Sequence, residues 1–205
     1  MPQQHYFSEN PEAQAKTTTV TFELEDRVFQ LTAASGTFSS TRLDPGTKVL
    51  LQQSKFFPDS GTVLDIGCGW GPIGLSIASL RPETVVYGLD INSRSLDLAA
   101  LNGKHLGLEN FEAVRAEQIP AELLFDAIWS NPPIRVGKSV LHNLLETWLP
   151  RLKPGASAML VVQKQLGAES LQKWISQTFK DYSVDKHSID KGYRVIRVTR
   201  PAKSQ

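Results

Sequence analysis

Apolar and polar positions along this chain change their rhythm once, near residue 60. Between Thr18 and Leu31 two short stretches, TVTFEL and RVFQL, flank Glu25 and Asp26 and alternate apolar with polar residues, the pattern of a β-hairpin. Asp44-Pro45-Gly46 then breaks the chain, Thr47 is placed to cap a helix running towards Phe56, and Pro58 ends it. From Thr62 strand and helix patterns alternate. TVLDI reads as a buried strand, Pro72 to Leu80 as a helix, TVVYGLD as a strand, Ser93 to His105 as a helix, and FEAVRA and FDAIWS as two further strands. A helix from about Lys138 to Leu149 is limited by Pro150, and Pro154-Gly155 turns the chain into the strand ASAMLVVQ. A helix from about Ala168 to Phe179 precedes two closing strands, YSVDKH and YRVIRVT. The alternation predicts an α/β fold: a doubly wound sheet, mostly parallel with one late antiparallel strand, whose ligands sit at the carboxyl ends of the strands.

Length and composition narrow the classes that remain. A chain of 205 residues fits one domain at roughly 100–200 residues each. The expected organisation is a single domain over 1–205, with a loosely held arm at 1–16, a hairpin and helix at 17–57 and a catalytic core at 58–200. With 40% hydrophobic and 21% charged residues the chain can bury a core, which excludes disorder throughout. No apolar run approaches the ~20 residues that span a bilayer, and MPQQHYFSEN has neither a basic nor an apolar leader region, so a cytoplasmic protein is expected. Cys68, the single cysteine, excludes an intramolecular disulfide and a cysteine-based zinc cluster. His5, His105, His142 and His187 show no metal-ligand spacing, so no metal is expected. The formal charge of +1 hides an asymmetry: residues 1–150 carry 11 Lys and Arg against 17 Asp and Glu, and residues 151–205 carry 11 against 4. Such a C-terminal quarter suits a polyanion, or simply a solvated surface.

Candidate chemistry sits at two strand ends. After the strand TVLDI stands Asp65-Ile66-Gly67-Cys68-Gly69-Trp70-Gly71-Pro72, where alternate glycines let backbone approach a ligand that a Cβ would repel. Asp90 closes the next strand, 23 residues after Gly67, the spacing at which a carboxylate meets ribose hydroxyls in nucleotide-binding βαβ units. The glycines do not follow the G-x-G-x-x-G order of dinucleotide sites. Cys68 lies inside this loop with no histidine in a pairing context, so it is not expected to be a nucleophile. At the end of FDAIWS, Asn131-Pro132-Pro133-Ile134 stiffens the chain as it leaves the sheet. The Asn131 side-chain oxygen and the Pro132 carbonyl are both acceptors and together can take the two protons of a planar amino group. That holds a weakly nucleophilic, delocalised nitrogen in line for attack and favours its more pyramidal transition state.

The D-x-G-x-G-x-G loop resembles that of class I S-adenosylmethionine-dependent methyltransferases, with their Rossmann-like seven-stranded sheet. The resemblance implies that Asp65, Gly67, Cys68, Gly69 and Gly71 hold the methionine end of S-adenosyl-L-methionine, Asp90 its ribose, and Glu117 its adenine edge. N-P-P followed by an aromatic marks members that methylate exocyclic amines of bases or glutamine amides; here Ile134 replaces the aromatic, and Phe38 is a candidate substitute. GTFS at 36–39, LDPGT at 43–47, SNPPIRVGK at 130–138 and KGYRVIRV at 191–198 are together similar to the small methyltransferase domain of bacterial 16S ribosomal RNA guanine-N2 methyltransferases, a match running from about Gln4 to Val198. It implies catalysis by Asn131, Pro132 and Pro133, substrate contact by Phe38, Ile134, Arg135 and Lys138, and ribosomal RNA or the small ribosomal subunit as partner of a monomer. The alternatives are glutamine N5 or adenine N6 methylation, or a non-catalytic nucleotide- or RNA-binding module.

Overall fold

A computed structural model describes residues 16–203. Apart from Lys16, the expected arm at 1–16 lies outside the described residues, as does His5. The hairpin is built from β1 (Thr17–Leu24) and β2 (Arg27–Ala34), in register from Thr17 opposite Ala34 to Leu24 opposite Arg27. Phe22 and Phe29 face each other across it with rings stacked at 5.1 Å. Val20, Leu31 and Ala33 bury against Trp70, Leu75 and Leu98, which fastens the hairpin to the helices behind it. Buried Asn102 completes the joint. Its Oδ1 accepts from Thr32 N at 2.8 Å, and its Nδ2 donates to the carbonyls of Thr32 and Trp70, both at 2.9 Å. A fully bonded buried amide thus occupies backbone groups that an edge strand would leave open.

The first helix departs from its sequence reading. α1 spans Pro45–Leu51, and its cap is Asp44, whose carboxylate accepts from Thr47 N. Pro45, with φ already near the helical value and no N–H to satisfy, occupies the first helical turn and moves the cap one residue ahead of it. The helix stops well before Phe56. A 3₁₀ turn at Ser54–Phe56 tightens the chain instead and delivers Phe57 into the core, edge-on to Trp129 at 4.8 Å.

Seven strands form the sheet: β3 (Ser60–Ile66), β4 (Glu83–Leu89), β5 (Phe111–Val114), β6 (Phe125–Ser130), β7 (Leu152–Gln163), β8 (Ser183–Asp190) and β9 (Tyr193–Thr199). They lie in the order β5-β4-β3-β6-β7-β9-β8, with β9 antiparallel to both neighbours and the other pairings parallel. The helices are α2 (Pro72–Leu80), α3 (Ser93–His105), α4 (Lys138–Trp148) and α5 (Ala168–Thr178). Both faces of the sheet are covered, as the interior strand β7 shows. Leu160 and Val162 point into the core shared with Leu141, Leu145 and Ile175, while Met159 and Val161 join Val49, Leu50 and Ile77 on the other side. The turn expected at Pro154-Gly155 is a bulge inside β7: two steps along β6, from Phe125 to Ala127, face five along β7, from Leu152 to Ser157.

Strand order reverses between β3 and β6, because the chain moves outward through β4 and β5 and then returns to pair β6 with β3. The crevice at such a switch point, beyond the carboxyl ends of the strands, is where open α/β sheets bind ligands. Ser130 holds the two strand ends together, its hydroxyl donating to the Ile66 carbonyl at 2.7 Å. Among the described residues no helix is long and apolar enough to cross a membrane.

Candidate active site

Above the switch point opens a cleft of about 490 Å³. One wall comes from the loop after β3 and the end of β4. The N–H groups of Gly67 and Cys68 both donate to the Leu89 carbonyl, at 2.8 and 2.9 Å, so the loop is tied down at the strand that carries Asp90. Asp90 accepts from Gly69 N through one carboxylate oxygen and from Asn92 N through the other, both at 2.9 Å. Gly67 and Gly69 are left-handed, with φ of 71° and 57°, and a Cβ added at either would meet nothing within 4 Å. Here glycine bares backbone towards open space, a cradle for a ligand.

Behind the loop Asp65 is fully buried. Its Oδ2 accepts from Gly74 N at 2.8 Å, and its Oδ1 is buried without a partner. Burial pushes the Asp65 carboxyl up to about 7, the Gly74 bond opposing the shift and the Asp90 charge adding to it. Asp90 is also raised, chiefly by burial, against the pull of the N–H groups around it. The open backbone at Gly67 and Gly69 beside the Asp90 carboxylate fits a polar or cationic ligand group on this wall. Cys68 is buried, and burial holds its thiol well above the ordinary range, which leaves it unsuited to nucleophilic work.

The opposite wall is assembled from distant segments. Asn131 leaves β6 at the mouth of the switch point, and its Nδ2 donates to Asp44 Oδ1 at 2.7 Å and to Thr47 Oγ1 at 3.0 Å. Asp44 is the cap of α1, and Thr47 is buried in its first turn. The Pro132 carbonyl accepts from Ile134 N at 2.8 Å, which leaves it a second lone pair. Phe38 lies in the loop between β2 and α1 and borders the same cleft; its carbonyl accepts from Trp70 Nε1 at 3.0 Å, so this loop is clasped to the glycine loop. Tyr193, the first residue of β9, closes the far side. Burial and the Asp44 charge raise its phenol, and Arg135 acts in the opposite sense.

Gly67, Asp90, Asn131, Pro132, Pro133, Ile134, Arg135 and Phe38, all singled out from the sequence, therefore border one space. Asp65, Cys68, Gly69 and Gly71 belong to the loop and strand end beneath it. Glu117 does not join them: it is exposed on a 3₁₀ turn after β5, outside the cleft lining. Lys138, exposed at the start of α4, also stands outside that lining. Sequence reasoning missed Asp44, Thr47, Gln163 and Tyr193 as site residues. For Asp44 and Thr47 the capping pattern was visible, but nothing in it announced a second function.

The arrangement can do two things. One wall offers backbone and carboxylates to a nucleotide-like ligand, and the other offers acceptors to an amine. A family described as methyltransferase small domain matches residues 28–197. The uncharacterised protein YbxB of Bacillus subtilis is 32% identical over 200 residues, covering 96% of this chain and 98% of that protein. Ribosomal RNA small subunit methyltransferase C of Pseudomonas entomophila is 33% identical over 184 residues, covering 86% of this chain and 53% of that enzyme. This chain thus spans about half the length of that methyltransferase. The solved structure of the 16S rRNA N2 G1207 methyltransferase of T. thermophilus, in complex with AdoMet and guanosine, superposes with a TM-score of 0.77 at 22% identity, over 93% of this chain and 52% of that one.

Proposed function

The chain belongs to the methyltransferase small domain family, and on that footing we propose that it moves a methyl group from S-adenosyl-L-methionine to the N2 amine of a guanine in small-subunit ribosomal RNA. The observation that carries this reading is Asn131. Both hydrogens of its amide are engaged by Asp44 and Thr47, and its carbonyl oxygen has no hydrogen-bond partner among the described residues. An acceptor held at the end of β6 suits a nucleophile that brings N–H groups.

S-adenosyl-L-methionine supplies an electrophilic methyl group on a sulfonium. Gly67 and Gly69 would face its methionine end, the buried Asp65 would support the loop from below, and Asp90 would take ribose hydroxyls. Assignment of Glu117 to the adenine edge rests on the family resemblance, not on its exposed position here. Asn131 Oδ1 and the Pro132 carbonyl accept from the two N–H groups of the incoming amine and orient its lone pair along the line of attack. The proton leaves after nitrogen has become positively charged, so no strong base is required. Phe38 and Ile134 offer apolar contact to the base, while Arg135, Lys138 and the basic C-terminal quarter meet phosphates. We place the protein in the cytoplasm as a monomer.

Relatives named ribosomal RNA small subunit methyltransferase C, among them those of Pseudomonas entomophila and Pseudomonas putida, favour RNA over a glutamine amide. The test is nucleoside mass spectrometry of ribosomal RNA from a strain lacking the gene, beside methyl transfer by purified protein to small-subunit RNA and to a protein release factor. Loss of N2-methylguanosine and labelling of the RNA are expected. Unchanged nucleosides with methyl on the protein would replace this reading with glutamine N5 methylation, and loss of N6-methyladenosine would replace it with the adenine alternative.

A further inference from the structure

Asp44 does more in this fold than cap a short helix. Its Oδ1 accepts from Thr47 N at 3.0 Å and from Asn131 Nδ2 at 2.7 Å. With Thr47 Oγ1 as the other acceptor, both N–H bonds of the Asn131 amide are consumed. Since a carboxylate oxygen faces it, the atom of Asn131 pointing at α1 has to be nitrogen, and the amide cannot turn over without setting two oxygens against each other. Two acceptor atoms then remain without a hydrogen-bond partner among the described residues, Asn131 Oδ1 and Asp44 Oδ2. Neither is a buried orphan, and both residues border the cleft. Tyr193 bounds Asp44 from the far side: its ring lies against Gly46, where an added Cβ would sit 2.8 Å from Tyr193 Cε1.

Two adjacent acceptors select a particular partner. An adenine presents its amine beside the bare lone pair of N1, cytosine presents its amine beside that of N3, and a glutamine amide presents its amine beside a carbonyl oxygen. Each pairs one donor with one acceptor, and the acceptor would be turned against a carboxylate. Guanine alone among these offers two donors side by side, the N2 amine and N1–H. We propose that Asp44 is a specificity-determining residue: through Oδ1 it fixes the Asn131 amide with its oxygen towards the substrate, and through Oδ2 it accepts the N1–H of the guanine whose N2 amine Asn131 holds. This rests on the amine-methylating reading above and deepens it, since the polarity of one carboxylate oxygen decides between the guanine and adenine alternatives.

The variant that isolates the claim is Asp44→Asn. Asparagine caps a helix about as well as aspartate, and its Oδ1 can still receive Thr47 N and Asn131 Nδ2. Only the atom without a hydrogen-bond partner changes, from acceptor to donor. The probes are guanosine and 2-aminopurine riboside, which share the 2-amino group; the second has a bare lone pair at N1 and no oxygen at C6. Binding of each is measured calorimetrically to protein saturated with S-adenosylhomocysteine. Because the C6 difference is the same for both proteins, the ratio of ratios isolates the N1 contact. Wild type is expected to prefer guanosine by roughly 10-fold or more, and Asp44→Asn to lose or reverse that preference with an unchanged melting temperature. Thr47→Val, which removes an Asn131 acceptor but leaves the Asp44 oxygen in place, should weaken both ligands alike and keep the preference. An equal preference in Asp44→Asn and wild type, its loss in Thr47→Val as well, or no guanosine binding by wild type would overturn the assignment. A collapsed preference in Asp44→Asn combined with unaltered ribosomal RNA nucleosides in the deletion strain would uphold Asp44 and sink only the RNA reading.

Discussion

On one wall of the cleft, Asp65, the glycine loop and Asp90 come from a single strand, loop, helix and strand stretch, and most of their contacts run through backbone. On the other wall, Asn131 reaches Asp44 and Thr47 across 87 and 84 residues of chain, and every contact in that trio involves a side chain. The first wall is set by local chain geometry and tolerates side-chain change wherever backbone does the holding. The second is a side-chain network brought together by α1 packing over β7 and β9 on one face of the sheet, so a single substitution can alter its polarity.

That contrast is broken most easily at Asn131. Asn131→Ala is expected to lower single-turnover methyl transfer to small-subunit RNA by about 10²–10³-fold, the order seen when one preorganised polar contact to a transition state is removed. Calorimetric affinity for S-adenosylhomocysteine should change little. If both parameters collapse together, the two walls are not separate devices.

The converse substitution is Asp90→Ala. It removes the carboxylate that steadies Gly69 N and Asn92 N, and it should weaken S-adenosylhomocysteine roughly 10- to 100-fold while leaving turnover at saturating cofactor near wild type. A fall in saturated turnover with unchanged affinity would reassign Asp90 to the chemistry.

A third test reads stability. With its carboxyl raised to about 7 in the folded protein, against an ordinary value of 3.8, Asp65 binds a proton more readily folded than unfolded. Its contribution to stability is therefore fully present below about pH 4 and is lost as pH rises through about 7. Asp65→Asn has no such titration. In cofactor-free protein the melting temperature of wild type, relative to the variant, should fall between pH 5 and pH 8. A difference that stays flat would show that Asp65 is an ordinary carboxylate and that its buried oxygen finds a partner.

Much of this was legible beforehand, and the places where reading stopped are instructive. The boundaries Pro72–Leu80 and Ser93–His105 were readable because the helical pattern starts at Pro72 in one case and directly after the strand-ending Asp90 in the other. At 45–56 the same signals misled: Thr47 looked like the cap, whereas Asp44 takes that place ahead of Pro45, and the need to bury Phe57 against Trp129 cuts the helix short. Asn102 shows the same limit. Nothing in its helix declares that a mid-helix amide will bond to a hairpin 70 residues earlier.

By itself, then, the amino-acid sequence determined the alternation of strands and helices, the open glycine loop with Asp90 after it, and the stiff Asn-Pro-Pro exit. All three depend on interactions between residues close along the chain, where backbone sterics and hydrophobic period act directly. Tertiary structure alone decided which way the Asn131 amide faces, that Asp44 and Thr47 hold it, that Tyr193 borders the cleft, and that Glu117 does not. Those outcomes depend on how α1 and the hairpin pack on the sheet, and contacts spanning 80 residues or more leave no periodic trace in the segments that make them.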